Sequence, residues 1–206
     1  MARWITYKGR HLLVDDDGKI VPKDNAVHYG DLGKARDTYF WNINSSNRST
    51  GHFGTGTYFI SEEEDERIKN SSTFTRKDRP RKEVDFNEYN LYKPLIESEA
   101  NRLHSGLKAI NYSDYDSYDF RFMKDDLIRK GINENKINNA IAKVEQTKKE
   151  YKSKGYYDDY NSKQDSLSTI FMKELGYNGI DVRGLEQFDN TGYGSVIYDL
   201  NDRKRK

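Results

Sequence analysis

The 206-residue chain contains no cysteine. That absence excludes disulfide staples, thiolate metal sites and a cysteine nucleophile together. The chain also lacks any apolar run near the roughly 20 residues that a membrane-spanning helix requires, and its opening, MARWITYKGRH, has no apolar stretch of the signal-peptide kind. A soluble, cytoplasmic protein without a membrane partner is expected. Charge of one sign is lacking too. The 35 Lys and Arg face 34 Asp and Glu, and a net charge of +1 creates no global field toward nucleic acid or acidic lipid. Hydrophobic residues make up only 34% of the chain, so a core must draw on its 16 Tyr, 9 Phe and 2 Trp. The four histidines, His11, His28, His52 and His104, have no ligand spacing, so no metal is expected and His52 reads as structural.

The length suits one domain over residues 1–206, and no repeat divides it. Trp4–Val21 alternates short apolar groups with the turn signals Lys8-Gly9 and Asp17-Gly18, which predicts a β-hairpin region over 1–24. Asp15, Asp16 and Asp17 lack calcium-loop spacing and read as a solvated turn. Thr57–Ile60 is strand-like. The stretch after it, SEEEDERIKNSSTFTRKDRPRKE, predicts a short helix and an exposed loop with a basic end at Arg76–Lys82. EVDFNEYNLY then reads as a strand. Ile96, Ala100, Leu103, Leu107 and Ile110 keep helical spacing after Pro94, and Ile137, Ile141, Val144 and Tyr151 share one face of a charged helix. The region of about 111–160 is expected to be a helical insertion. Asp165 is placed to cap a helix with Leu167, Ile170, Phe171 and Leu175 inward and Gly176 at its end. Strands follow at Ile180–Arg183 and Ser195–Leu200, then a basic tail.

Two segments carry the chemistry: AVHYGDL around His28, and GHFGTGTYFIS from Gly51 to Ser61. The glycines of the second form neither a dinucleotide fingerprint nor a phosphate loop, because no strand precedes them with a helix opening after. Gly54 and Gly56 instead permit a close turn before the strand.

Together the two segments resemble the His and Tyr signatures of the ADP-ribosyltransferase superfamily, in its poly(ADP-ribose) polymerase-like and diphtheria-toxin-like branch. There one strand ends in His-Gly and a later one reads Gly-x-Gly-x-Tyr-Phe. GYNGIDVR and GSVIYDL are similar to the closing segment of phage and bacterial ADP-ribosyltransferase-like proteins, so the likeness covers about two-thirds of the chain. The arginine-dependent branch fits less well. Ser71-Ser72-Thr73 only shadows its Ser-Thr-Ser strand, and the carboxylate pair Glu62 and Glu64 falls in the wrong place.

The resemblance implies an α+β fold: an ADP-ribosyltransferase-like split β-sandwich of two small, mostly antiparallel sheets with flanking helices. It implies NAD⁺ as co-substrate, with His28 on the ribose hydroxyls, Tyr58 stacked on the nicotinamide, and Tyr29, Gly30, Asp31, Gly54 and Gly56 lining the cofactor cleft. Tyr29 intervenes between His28 and Gly30, so the backbone that clamps the nicotinamide amide is left open between them. The family's late strand reads Glu-x-apolar-apolar-aromatic. Laying Val196-Ile197-Tyr198 on its apolar part puts Gly194 where the Glu belongs. Asp189 and Glu186 in the preceding turn are the substitutes, with Asp189 preferred for its neighbours Asn190-Thr191. The implied activity is transfer of ADP-ribose to a macromolecule, first of all a protein side chain of a host or defence enzyme, as a phage anti-defence effector or toxin would do. A nucleic-acid acceptor ranks lower. The alternative is an inactive scaffold that inhibits a partner sterically.

Overall fold

Short alternating runs between turn residues make this chain a series of brief strands, and three of its helices begin where Ser61, Asn133 or Ser166 offers its side chain to a free N–H group. A computed structural model describes residues 3–7, 10–19, 25–30, 49–51, 53–71, 79–94, 120–154, 165–183, 185 and 195–204. Among these the architecture is α+β. In chain order come β1 (Arg3–Tyr7), β2 (Arg10–Val14), β3 (Asn25–Tyr29), β4 (Ser49–Gly51), β5 (Gly54–Phe59), α1 (Glu62–Asn70), β6 (Arg81–Asp85) and β7 (Leu91–Tyr92). They are followed by α2 (Lys124–Arg129), α3 (Glu134–Ser153), α4 (Leu167–Glu174), β8 (Gly179–Ile180) and β9 (Ser195–Ile197).

β1 and β2 form an antiparallel hairpin with Tyr7 opposite Arg10. The acidic triplet beside it is a turn, in which the Asp15 carboxylate accepts from the N–H groups of Asp17 and Lys19 at 3.0 and 2.8 Å. β3 pairs antiparallel with β6, and a five-stranded sheet runs β4-β5-β9-β8-β7. Only β7–β8 is parallel among its pairs. One bridge, Val27 to Ile60, ties the β3–β6 pair to the end of β5.

Both faces of the five-stranded sheet are buried. Val196 and Tyr198 turn to a core shared with the helices, where Leu127, Ile137, Val144 and Phe171 are buried and Phe120 stacks on Phe171 at 4.4 Å between centroids. Ile197, between them, turns to a second core with Ala26, Phe59, Val84 and Phe86. Each fully buried aromatic or aliphatic side chain contributes about 1.5–3 kcal/mol. The segment read as an insertion supplies α2 and α3, and α3 packs along α4 with its buried Ile137, Ala140 and Val144 in the first core.

The caps explain the helix boundaries. Ser61 Oγ accepts from Glu64 N–H at 3.2 Å to start α1, with Glu62, Glu63, Glu64 and Asp65 in its first turn and Arg67 and Lys69 in its last. The cap of α4 is Ser166 rather than Asp165: Ser166 Oγ accepts from Thr169 N–H at 3.2 Å, and Asp165 pairs instead with Lys173 Nζ at 2.7 Å. Gly176 ends that helix at φ +86°, a left-handed turn that costs glycine little. The strand expected over Ile180–Arg183 stops at Ile180, because Asp181 and Arg183 turn their side chains to one another. The expected helix after Pro94 lies outside the described residues. Among the described residues no helix is long and apolar enough to cross a membrane.

Candidate functional site

Val27 and Ile60 exchange both main-chain hydrogen bonds, at 3.0 and 2.9 Å, and the ladder stops there. The next pair in that register would be Tyr29 and Tyr58. In its place the His28 side chain spans the gap: Nδ1 donates to the Tyr58 carbonyl at 2.8 Å. A carbonyl only accepts, so Nδ1 carries the hydrogen, and in the neutral form of the ring Nε2 is the acceptor. Nε2 lies over Gly30, where a Cβ would stand 2.6 Å from it, so glycine is what leaves room for the ring.

Antiparallel strands direct successive residues' N–H and C=O groups alternately to either side. Val27 is bonded toward β5, whereas Gly30 N–H donates the other way, to Pro80 O at 2.8 Å. Tyr29, with the parity of Val27, therefore turns its N–H and C=O toward β5 and the open register position. The Gly30 N–H is already committed to the β6 side.

The Tyr58 ring folds back along its own strand. Its hydroxyl donates to Gly54 O at 2.8 Å and accepts from Phe53 N–H at 3.1 Å. Gly54, Gly56 and Tyr58 share a face of β5, and the missing side chains leave the phenol its path. Gly54 stands at φ +110°, with Thr169 Oγ1 only 2.5 Å from where a Cβ would be. The turn is held by hydroxyls: Thr55 N–H donates to Thr169 Oγ1 at 2.7 Å, and Ser166 N–H to Thr55 Oγ1 at 3.1 Å. His28, by contrast, lies against Phe59, with ring centroids 5.7 Å apart, on the other side of the strand. The fold thus joins His28 to the main chain of Tyr58, and the phenol turns to the helical core.

Beneath Tyr29 is a cluster the sequence did not single out. Asp65 is 1% exposed. Its Oδ1 accepts the Tyr29 hydroxyl at 2.6 Å; its Oδ2 accepts from Arg81 at 2.6 and 2.9 Å and pairs with Lys69 Nζ at 2.9 Å. Burial alone would raise its pKa, but the hydrogen bonds from Arg81, Tyr29 and Lys69 outweigh burial and hold it at about 2. The Tyr29 hydroxyl is pushed up, by burial first and by its bond to Asp65 second. In SEEEDERIKN nothing in the residue type separates Asp65 from its acidic neighbours. The available signal was that Asp65 and Ile68, three apart, form the inward face of α1.

At the start of β9, Ser195 Oγ accepts from Val182 N–H at 3.0 Å and donates to Asp181 at 2.9 Å. Asp181 is buried and bonded by Arg183 through Nε and a terminal nitrogen, each at 2.9 Å, with Lys93 Nζ at 3.3 Å. Burial opposes its charge, and Arg183 more than compensates, so its pKa is lowered. Arg183 also donates to Asn25 O at 2.8 Å and sits 4.2 Å above the Phe86 ring. This closed ion pair ties β8 and β9 to β3. It also places a carboxylate beside Ser195, next in sequence to Gly194. Asp31, His52, Glu186, Asp189 and Gly194 lie outside the described residues. Among the described residues no group of three or more acidic or histidine side chains could hold a metal ion. Compared with models of known protein families, with curated proteins and with solved structures, the chain gives no match.

Proposed function

We propose that the chain binds NAD⁺ where β3 and β5 part and transfers its ADP-ribose to a protein acceptor, releasing nicotinamide. The observation that carries this is the joint between His28 Nδ1 and the Tyr58 carbonyl, 2.8 Å long, which aligns two signature segments that lie apart in sequence. Around it, the Tyr29 N–H and C=O face the open register position and suit a carboxamide, which needs one donor and one acceptor. His28 Nε2, held over Gly30, suits a ribose hydroxyl.

In the reaction the bond between the ribose carbon and the nicotinamide nitrogen breaks. Its electron pair neutralises the pyridinium, an acceptor side chain attacks the oxocarbenium-like carbon from the opposite side, and the acceptor's proton passes to solvent. A carboxylate is required to stabilise the developing positive charge. Asp189, with Glu186 second, is assigned that task. A host or defence protein is the acceptor in this reading, and no metal takes part. The test is incubation with NAD⁺ and host lysate, reading released nicotinamide and adduct mass. The wild type should release nicotinamide and His28→Ala should not; no release with any lysate together with no NAD⁺ binding would end the proposal.

One observation favours a second reading. The described carboxylate at the head of β9, Asp181, is fully engaged by Arg183, Ser195 and Lys93, and Gly194 stands where the family places its Glu. A chain without competent chemistry would block a partner by occupancy. Its biological effect would survive replacement of both His28 and Tyr58 by Ala, whereas an enzyme's would not.

A further inference from the structure

The two faces of β6 carry cations with different surroundings. Arg81 lies on the face toward α1 and is neutralised by Asp65 and Glu83, each at 2.6 Å. Lys82 occupies the other face. It is the cross-strand partner of His28, just as Val84 is of Ala26 in the second core. Such partners share a face, with Cβ atoms about 5 Å apart. Lys82 is half-buried although Arg81 and Glu83 beside it are exposed. Among the described residues its ammonium makes no hydrogen bond or ion pair, whereas Lys69, Arg81, Lys93 and Arg183 all meet carboxylates. A partly desolvated ammonium on the face of the His28 imidazole places positive potential beside the gap.

We propose that Lys82 binds the diphosphate of the dinucleotide. The inference rests on the NAD⁺ reading and extends it to a residue outside both signature segments. In NAD⁺ the ribose bearing nicotinamide is joined through its C5′ to the diphosphate. A ribose hydroxyl held by His28 therefore leaves the diphosphate within a lysine side chain's reach, on the face where Lys82 stands. An ammonium suits this role because it serves as a mobile point charge and imposes no fork geometry on a bent diphosphate.

The test is calorimetric titration of the full chain with NAD⁺, ADP-ribose and nicotinamide riboside, comparing the wild type with Lys82→Met and Lys82→Arg. Lys82→Met should weaken NAD⁺ and ADP-ribose by about tenfold or more and leave the phosphate-free riboside unchanged, while Lys82→Arg keeps most of the affinity. Wild-type NAD⁺ binding should also weaken as salt is added, and riboside binding should not. The inference is overturned if Lys82→Met binds NAD⁺ as the wild type does, or if it loses the riboside equally. Should Lys82→Met not fold, wild-type affinities for NAD⁺ and riboside that are equal and independent of salt overturn it as well. A wild type that binds the riboside and ADP-ribose but shows no dependence on Lys82 removes only this inference. A wild type that binds no NAD⁺ removes the reading beneath it too.

Discussion

Replacing Asp65 with Asn should destabilise the protein in a way that depends on pH. Asp65 is 1% exposed and bonded to Tyr29, Arg81 and Lys69, which hold its pKa at about 2 against an ordinary 3.8. That lowering corresponds to about 2 kcal/mol of preference for the charged form. Asn keeps the size but loses the charge and leaves Arg81 without its buried partner, so the loss at neutral pH is about 2–4 kcal/mol. In a domain of this length that is roughly 4–16 °C in Tm. The sign follows from the depressed folded-state value. The stabilisation is fully present above the ordinary carboxylate range, and it fades as pH falls through about 4 to 2 and the wild type takes up the proton. Urea unfolding of both proteins between pH 7 and pH 2 reads this directly. A variant as stable as the wild type at pH 7, or a gap of constant size down to pH 2, refutes the reasoning.

Three further outcomes follow from the geometry. Gly56→Ala puts a Cβ 2.5 Å from Ile197 O and 2.8 Å from Val196 Cγ2, so β9 must shift, and thermal melting should show a loss of about 2–3 kcal/mol; an unchanged melt contradicts the close approach. Tyr58→Phe removes the hydroxyl shared by Gly54 O and Phe53 N–H and should cost about 1–2 kcal/mol. The His28 ring resonances should stay where they are in that variant, because its bond is to the Tyr58 main chain. Asp181→Asn should unfold more readily at neutral pH, and the difference should shrink as acid protonates the wild-type carboxylate, whose pKa is lowered from its ordinary value; equal unfolding curves at neutral pH would show that the Arg183 pair carries no stability.

What the sequence made legible is local. Periodicity identified the inward face of α4 through Leu167, Phe171 and Leu175, and the strands at Tyr58 and Val196, because burial follows side-chain spacing directly. The helix start was misplaced by one residue, since Asp165 and Ser166 are equally good caps and only tertiary contacts with Thr55 decide between them. Pairing was less legible. Nothing in a single sequence says that β3 and β5 share one bridge and then part, or that the register turns the Tyr29 main chain toward β5 and the Gly30 N–H toward β6. Nor does it say that the phenol of Tyr58 turns back on Gly54 while His28 lies against Phe59. Buried ions were missed for the same reason. Asp65 and Asp181 look like surface residues until the chain brings Arg81 and Arg183 to them from other strands.

The central claim is that the open register position beyond Val27 and Ile60 receives the nicotinamide end of NAD⁺. A crystal structure grown with NAD⁺ tests it most directly. The account predicts the carboxamide about 3 Å from the main-chain N–H and C=O of Tyr29, with a ribose hydroxyl on His28 Nε2. Dinucleotide bound elsewhere on the chain, or none bound with the same strands closed into a continuous ladder, contradicts it.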